Sequence, residues 1–457
     1  MEKYPSQGMQ RWIALVGISF LAFTAFLDFT IVNTALPFIQ KAFKSSVLEL
    51  QWVMNIFIMA LAMTMVVVGR VADLHGRKPV FYLGVGIFAI GALGAALSPG
   101  IGYLIFFRGI QGLGGSVLFI SSASLITDVF PKHEHGHAIG IYSGITGLGL
   151  AIGPVLGGFL VGWLGWRWVF WVNLPLIVVG LACCAMSLKL PPHIKPNTRI
   201  DMKGLSLLVV GLGALIYGII QAADRTPFFW AYLLIGIVVL ILFYISERRS
   251  EMPLIDFSLF KKKLILLGIL SVASGGIANV VYMLFDPLYL RTLRHLSPYE
   301  IGFMISAIPV GQVVISIFFN TLTKWLSIQK ILVGSVLAGF VAVVLHRFIG
   351  ASTPLGLLLI PYFIIGINWG TINTGVIAGV NQAVEPAKVG EALGSVFTMW
   401  NITGSIFLAI SSGIFHLKEK SSFMEGFHAM TNVNIVLALL ILIAAWMVLK
   451  KGDSRPH

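Results

Sequence analysis

Apolar runs of about twenty residues, separated by short polar segments, repeat along this 457-residue chain. Because a helix of about twenty apolar residues crosses the hydrocarbon core of a bilayer, each run predicts a membrane-spanning helix. We count about fourteen such runs: residues 12–36, 50–68, 80–97, 102–130, 136–160, 166–188, 204–223, 228–245, 264–290, 299–322, 328–349, 354–384, 392–415 and 432–449. The pattern predicts an all-α integral membrane protein.

Two longer basic segments, residues 189–203 and 247–263, divide the predicted spans into groups of six, two and six. This spacing predicts a six-helix bundle at residues 1–188, a two-helix insertion with basic flanks at 189–263, and a second six-helix bundle at 264–457. The two inserted spans have almost no polar residues in their interiors, so we expect them to face lipid and take no part in binding. Paired six-helix bundles are typical of transporters that work by alternating access.

The positions of Lys and Arg predict the orientation of the chain. With the amino terminus in the cytoplasm, 21 of the 31 Lys and Arg residues fall in cytoplasmic segments, nine fall outside and Arg108 lies within a span. This asymmetry follows the positive-inside rule and places both termini in the cytoplasm. The net charge of +13 then faces anionic inner-leaflet lipid, so the expected partner is the lipid bilayer and not nucleic acid.

The composition excludes a soluble protein. Hydrophobic residues make up 57% of the chain and charged residues 11%, with a mean hydropathy of +0.92. The 49 glycines fit helices that pack closely in lipid. Cys183 and Cys184 are adjacent within an apolar run, a spacing that suits neither a disulfide framework nor a metal site, so we interpret them as packing residues.

Five segments carry a family resemblance. They read LDFTIVNTALP at 27–37, GRVADLHGRKPV at 69–80, RGIQGLGG at 108–115, GLAIGPVLGG at 149–158 and WRWVFWVNLP at 166–175. Together they resemble the major facilitator superfamily and, within it, the fourteen-span drug:proton antiporters, over essentially the whole chain. The resemblance implies the major facilitator fold with two extra helices, in a cell membrane. It also implies export of amphipathic, cationic drugs in exchange for protons; an exporter of a specific metabolite, siderophore or peptide is the alternative.

Arg108 and Asp28 are charged residues within predicted spans. An unpaired charge at the depth of Arg108 costs on the order of 2.5–3.5 kcal/mol, so Arg108 must face a cavity or a partner. Asp28, in the first span, is the candidate partner, and a proton or cationic substrate would compete with Arg108 for its carboxylate. The alternatives are a purely structural ion pair and an Asp28 that lies near enough to the surface to stay wet. The family resemblance implies proton coupling for Arg108.

Two groups of residues are candidates for gating: Gly69, Asp73, Gly76, Arg77 and Lys78 in the loop between the second and third spans, and Gly149, Gly153, Pro154, Gly157 and Gly158 on the fifth span. In the loop, Asp73 can pair with Arg77 or lie at a helix amino terminus. Contacts of this kind, made in only one transport state, would gate the inner face. The fifth-span glycines allow another helix to approach closely. The alternatives are a loop that only fixes topology and ordinary small-residue packing.

Further polar residues within spans are candidates for binding substrate: Asn33, Asn55, Gln111, Asn279, Tyr282, Asp286, Gln312, Asn373 and Trp400, together with Asn368, Trp369 and Asn401. They suit a large amphipathic cavity, but buried amides also serve as interhelical hydrogen bonds. Asp286, next to Pro287, is either a second proton or cation site or part of a wet loop edge. We assign Glu391 to the inner surface.

Other classes of function find little support in the sequence. His133, Glu134, His135 and His137 form a cluster, but their spacing is not that of a helical zinc pair, so we interpret them as a solvated turn and expect no metal. No Gly-rich Lys-Ser/Thr phosphate loop occurs, and no other cluster of catalytic groups indicates an enzyme. We therefore expect small-molecule substrate and protons as ligands, no cofactor, and a functional monomer, with or without an accessory export subunit.

Overall fold

The computed structural model of this chain describes residues 8–131, 134–188, 202–223, 227–250, 255, 257–385, 389–419 and 421–450. Within the helices, the description excludes the side chains of residues 62, 66, 67, 69, 70, 73, 74, 136, 220, 223, 320, 390 and 391.

The described chain folds into seventeen α-helices: α1 Met9–Phe43, α2 Val47–His75, α3 Arg77–Ala96, α4 Ile101–Val129, α5 His135–Leu164, α6 Trp168–Trp171, α7 Asn173–Ser187, α8 Met202–Ala223, α9 Phe229–Arg249, α10 Lys263–Gly275, α11 Tyr282–Thr292, α12 Pro298–Ile305, α13 Ala307–Trp325, α14 Ile328–Arg347, α15 Leu355–Ala383, α16 Val389–Glu419 and α17 Phe423–Lys450. A 3₁₀ turn lies at Phe257–Lys261, and a π-helical turn at Gly276–Val281 joins α10 to α11. Fourteen helical segments in the described part of the chain are long and apolar enough to cross a membrane, which confirms the predicted number and the all-α membrane class.

The charged segment at residues 69–80 is more helical than the sequence predicted. α2 continues to His75 and α3 begins at Arg77, so the helical path breaks only at Gly76. Gly76 has a φ of 95°, in the left-handed region that a residue with a Cβ atom rarely adopts. The prediction of a twelve-residue loop was therefore wrong in extent, because charged residues near the end of a span can continue its helix out of the apolar run.

One compact unit comprises Met1–Ser45, Trp52–Ile200 and Leu296–Phe303. In it, α1 packs against α4, α5 and α7, and α3 packs along α4. Glycines allow the α3–α4 approach, since a methyl group at Gly91 would collide with the backbone of Gln111. This packing holds the middle of α4 close to its neighbours.

The other compact unit comprises Ser46–Gln51, Asp201–His295 and Met304–His457. Its apolar core lies among α10, α14, α15 and α16 and includes Leu332, Val376 and Val396. α8 packs against α9 and α16, whereas only 11% of the apolar span of α9 is buried inside the protein. The two inserted helices thus group with the second unit here, and the three-part division at residues 188 and 263 stays a prediction.

A repeated capping motif relates the second span of each six-helix group. At the start of α2, the Ser46 backbone N–H donates to Glu49 and the Glu49 N–H donates to the Ser46 hydroxyl. Ser297 and Glu300 make the same two hydrogen bonds at the start of α12. These capping boxes satisfy backbone donors that the first helical turn leaves unpaired. The sequence shows no strong repeat between the halves, yet these two helices begin in the same way.

Candidate functional site

The first unit buries an ion pair between its first and fourth spans. Arg108 Nη1 donates to Asp28 Oδ2 at 2.5 Å, and the two side chains are 1% and 0% exposed. α1 and α4 are in contact, while the glycines of α4 that follow Arg108 face α2 and α3. The pairing that the sequence predicted is present, and because Asp28 is fully buried, the alternative of a wet carboxylate near the surface does not describe this structure.

Two amides complete the shell around Asp28. Gln111 Nε2 donates to Asp28 Oδ1 at 2.9 Å, and Asn173 Nδ2 donates to the same oxygen at 3.0 Å. Gln111 also accepts a 2.8 Å hydrogen bond from Arg108 Nη1 through its Oε1 atom. Asp28 therefore accepts three hydrogen bonds, two from side chains on α4 and one from a side chain on α7. Buried carboxylates require such partners because desolvating an ionised group is expensive.

Arg108 is held by aromatic and backbone groups as well as by Asp28. Its guanidinium carbon lies 4.0 Å from the centroid of the Phe57 ring and 5.9 Å from that of Phe170. Its Nε atom donates to the Val53 carbonyl at 3.3 Å. Contacts with ring faces stabilise a cation without requiring an opposite charge. Arg108 thus keeps favourable contacts that do not depend on the charge of Asp28.

The remaining amides that were predicted in the first unit lie apart from this network. Asn33 is buried and donates to the carbonyls of Phe29 and Thr30 in its own helix. Asn55 is also buried, and neither polar atom of its side chain has a partner among the described residues. Gln111 was grouped with these amides in the sequence, but the structure places it in the charged network.

A second polar cluster lies in the second unit. Asn279 Nδ2, in the π-helical turn, donates to Asn368 Oδ1 at 2.9 Å, and Asn368 Nδ2 donates to the Ser335 carbonyl at 2.8 Å. The rings of Trp369 and Trp400 meet edge to face, with centroids 5.8 Å apart. π-helical turns are uncommon and occur frequently at functional sites.

A glycine keeps this second cluster open. A Cβ atom at Gly275 would lie 3.4 Å from Asn279 Nδ2 and 3.7 Å from Trp400 Nε1, and it would collide with Ile372. The Trp400 Nε1 and Asn279 Oδ1 atoms are buried without partners among the described residues. The structure therefore brings together two of the residues that were predicted to bind substrate, Asn279 and Trp400, around a donor and an acceptor without described partners.

Other predicted residues of the second unit are dispersed. Tyr282 stacks against His346, and its hydroxyl contacts the Thr431 hydroxyl at 3.4 Å. Asp286 is 2% exposed, so the alternative of a wet loop edge was wrong. Gln312 and Asn373 are half-buried. No described hydrogen bond joins their side chains to Tyr282 or to the amide–indole cluster, which consists of Asn279, Asn368, Trp369 and Trp400.

At the break between α2 and α3, the charged residues Arg77 and Lys78 contact the ends of other helices. Arg77 Nη1 pairs with Asp128, near the end of α4, at 2.8 Å, and both side chains are about one-third exposed, at 37% and 33%. Lys78 Nζ donates to the Leu188 carbonyl at 2.7 Å, beyond the end of α7. Gly69 and Asp73 lie on α2, but the Asp73 side chain is outside the described residues. Arg77 and Lys78 thus connect the start of α3 to the ends of two other helices.

The predicted glycines of the fifth span face two different neighbours. Gly149, Gly153 and Gly157 face α1, where a methyl group would collide with Phe23, Thr30 and Thr34 respectively. The Thr30 hydroxyl lies 3.2 Å from the Leu150 carbonyl across this contact.

Pro154 and Gly158 face the start of α12. There the Pro154 carbonyl and Gly158 lie close to Gly302, within the same compact unit. The close approach of helices that the sequence predicted is present, and it involves two partners.

The histidine-rich turn makes ordinary contacts. Glu134 pairs with Arg11 at 3.1 Å, His135 Nε2 donates to the Phe130 carbonyl, and the His137 ring packs edge-on against Trp12. His133 lies outside the described residues, as does the Glu391 side chain. Cys184 packs against Gly17 on α1, as expected for a packing residue.

Four residues that make these contacts were not predicted from the sequence: Phe57, Asp128, Asn173 and His346. Asn173 stands within the segment 166–175 that carries the family resemblance, so a usable signal was present. The others are a phenylalanine and a histidine in apolar runs and an aspartate at the end of one. Their importance depends on partners that are 50 or more positions away in sequence.

Comparison with known proteins identifies the family. The sequence profile of the Major Facilitator Superfamily matches residues 18–408. The chain belongs to this superfamily and is a multi-pass membrane transport protein, not an enzyme. Its fourteen candidate spans fit the fourteen-span drug:proton antiporter type that the sequence motifs resemble.

The relatives of this chain include a multidrug resistance protein and a riboflavin transporter. The chain is 32% identical over 314 residues to the multidrug resistance protein Stp of Mycobacterium tuberculosis, covering 66% of this chain and 57% of that protein. It is 27% identical over 430 residues to the riboflavin transporter RibZ of Clostridioides difficile, covering 93% and 92%. The crystal structure of the POT family transporter PepTSo shares the fold, with a TM-score of 0.75 at 12% identity over 99% of this chain and 100% of the other.

Proposed function

We propose that this transporter exports amphipathic, cationic small molecules in exchange for protons, and that Asp28 carries the proton with Arg108 as its counterion. The observation that carries the proposal is the fully buried Asp28–Arg108 pair with its two amide donors. Ionisable residues within membrane spans mark ion pathways and proton relays by default.

Protonation of Asp28 would weaken its bonds to all three donors. Asp28 Oδ1 accepts from Gln111 and Asn173, and Oδ2 accepts from Arg108. A carboxyl group that gains a proton is a weaker acceptor and carries an O–H donor of its own, while these three groups present only N–H donors to it, so protonation weakens their bonds and favours a rearrangement. Because these donors lie on different spans, binding a proton changes the contacts between helices, and this is the kind of coupling that an antiporter needs.

Arg108 remains charged throughout, since a guanidinium is not deprotonated in proteins. When Asp28 is neutral, the charge of Arg108 is still stabilised by the Phe57 ring and the Val53 carbonyl. The surplus positive charge then disfavours a cationic substrate nearby. Proton and cationic substrate would thus exclude each other through one carboxylate.

The amide–indole cluster of the second unit supplies a suitable surface for an amphipathic substrate. Trp369 and Trp400 offer apolar rings, while Trp400 Nε1 and Asn279 Oδ1 offer an unused donor and acceptor. Binding sites for small molecules are mostly apolar, with a few polar groups that fix orientation. We assign substrate contact to Asn279, Trp369 and Trp400 before the dispersed residues Asn33, Asn55, Gln312 and Asn373.

We assign gating to the contacts of α3 and α5. The Arg77–Asp128 pair and the Lys78–Leu188 bond are exposed enough to break and re-form, and the Gly158–Gly302 approach depends on small residues. Asp73 keeps the gating role that the sequence predicted, beside Gly69 and Gly76.

We place the protein in the cytoplasmic membrane as a functional monomer with both termini in the cytoplasm. Co-purification from membranes tests whether an accessory export subunit binds to it.

The test is transport by purified protein in liposomes, with ethidium as the amphipathic cation. We expect Asp28→Asn to abolish uptake driven by an imposed pH gradient and to retain exchange of ethidium at equal pH. Arg108→Lys should also fail under a gradient, because an ammonium group cannot reproduce the planar fork that bonds Asp28, Gln111 and Val53.

Glu134→Gln is the matched control, since it removes a carboxylate of the same unit that lies outside the network. It should transport normally. Gradient-driven uptake that persists in Asp28→Asn would remove Asp28 from the mechanism, and the absence of any pH effect on the wild type would exclude antiport.

A transporter for one specific metabolite is the second candidate. The relative named as a riboflavin transporter favours it, because that match covers more than nine-tenths of both chains. Competition by riboflavin against ethidium in the same liposomes separates the two candidates. Strong inhibition by riboflavin, together with weak ethidium transport, would support the specific transporter.

A further inference from the structure

The second unit contains a buried acid–base pair of its own. Asp286, on α11, lies 3.3 Å from His346 Nε2, near the end of α14, through its Oδ2 atom. The two side chains are 2% and 0% exposed. The contact joins the ninth and eleventh spans, and the proposed function does not use it.

The other nitrogen of His346 defines how this pair must be protonated. His346 Nδ1 lies 2.7 Å from the Ala342 carbonyl oxygen, which can only accept a hydrogen bond, so Nδ1 carries a hydrogen. Nε2 of a neutral imidazole with that tautomer is an acceptor, and so is an ionised carboxylate. Two acceptors do not bond at 3.3 Å unless a proton lies between them. The observed contact therefore requires one proton, carried either by Asp286 or by His346.

The side chains that face this pair are mainly tyrosines. Tyr282 and Tyr289 lie on α11 with Asp286, and Tyr362 faces the pair from α15. α17 faces the pair with Phe427 and Thr431.

Two basic side chains, which are next in sequence to members of this cluster, bond elsewhere. Arg347 donates to Asn432, and His428 Nε2 donates to the Ile349 carbonyl. A buried negative charge on Asp286 would therefore depend on His346 for its compensation.

We propose that Asp286 and His346 form a second proton-binding site, which holds one proton when α11 and α14 are in contact and releases it when they separate. Loss of the proton would leave a carboxylate facing an imidazole lone pair in a buried position, an arrangement that is costly unless the groups move apart. Asp286 Oδ1 has no donor among the described residues, so no second bond would compensate. The proposal deepens the proposed function by adding a proton to the transport cycle.

α11 is built so that it can move at this point. Pro287 follows Asp286 and lacks the N–H that would bond the carbonyl four residues earlier, at Met283. One turn before Asp286, the π-helical turn Gly276–Val281 ends. Both features weaken the regular hydrogen-bond ladder of the helix. Proton release at Asp286 therefore acts on a segment whose backbone can adjust.

Infrared difference spectroscopy between acid and alkaline pH, on full-length protein in liposomes labelled with ¹³C at the aspartate carboxyl, tests the site directly. We expect the wild type to lose one proton from an aspartic acid or an imidazolium as the pH rises, and Asp286→Asn and His346→Gln each to lose this change. Asp286→Asn preserves size and mimics the protonated carboxyl, so it should fold. His416→Asn is the matched control, because it removes a histidine that contacts the half-exposed Glu419 in the same unit.

Identical spectra for wild type and Asp286→Asn would overturn the proposal. The Asp28→Asn variant separates this result from the proposed function. If it abolishes gradient-driven transport while the Asp286 signal is missing from the wild type, the proposed function stands and the second site does not. If the Asp286 signal is present but Asp28→Asn transports normally, the second site stands alone.

Discussion

The two compact units each bury an acid–base pair, but the pairs are built differently. Asp28 in the first unit has three hydrogen-bond donors and a permanently charged partner, Arg108. Asp286 in the second unit has His346 as its one described partner and an oxygen without a donor. In the first pair, a proton on Asp28 weakens bonds from three donors that are already in place. The second pair is unsaturated, and the proton itself makes the contact.

This difference shows how partner choice sets the response of a buried carboxylate. Histidine can gain or lose its charge near neutral pH, whereas arginine cannot. Neutralising Asp28 leaves a buried positive charge, while removing the proton from the Asp286–His346 pair leaves a buried negative charge. The two sites therefore respond to opposite changes in proton occupancy.

The largest expected effect comes from removing the basic partner of each pair. Arg108→Leu should destabilise the protein by about 3–5 kcal/mol, because it leaves Asp28 as an uncompensated buried charge. His346→Leu should cost less, about 1–3 kcal/mol, since His346 makes one hydrogen bond to another side chain, whereas Arg108 bonds Asp28, Gln111 and the Val53 carbonyl. Denaturant unfolding in detergent measures both values at the same pH.

A double variant sharpens this comparison. Asp28→Asn combined with Arg108→Leu removes both charges and should recover much of the stability that Arg108→Leu loses. If Arg108→Leu and His346→Leu are equally destabilising, and the double variant recovers nothing, the two sites do not differ in the way described.

A smaller effect is expected from loosening the shell of Asp28. Asn173→Ala removes one of the three donors, which should cost about 1–3 kcal/mol, since hydrogen bonds to charged groups are stronger than neutral ones. Gradient-driven transport should fall more than exchange at equal pH, because the proton site is disturbed. Asn381→Ala is the control: that amide is exposed and bonds a carbonyl of its own helix. Unchanged coupling in Asn173→Ala would assign Asn173 a packing role only.

The smallest effect on stability is expected at the pair of Arg77 and Asp128, whose side chains are about one-third exposed. Asp128→Asn should change the free energy of unfolding by at most about 1 kcal/mol, because solvent screens the pair. If this contact gates transport, counterflow in liposomes should slow up to about fivefold while substrate affinity in detergent is kept. Asp73→Asn should act in the same direction. Equal loss of affinity and counterflow would indicate damage to the binding site.

Four particular residues show how far sequence reasoning reached. Asp28 and Arg108 were predicted to pair because a charge in an apolar run requires compensation, and the structure confirms the contact. Asn173 was within a recognised segment but was not assigned to the site. His346 lies at the end of an apolar run and has no local signal, because its partner Asp286 is 60 positions away.

The sequence by itself determined the membrane class, the number of spans and the family. These properties depend on apolar length and local motifs, which can be read one segment at a time. Tertiary structure alone decided that Arg77 reaches Asp128, that Gln111 joins the charged network, and that Asp286 faces His346. The physical reason is that side chains far apart in sequence meet only through helix packing, and the rotation of each helix selects which of its polar residues finds a partner.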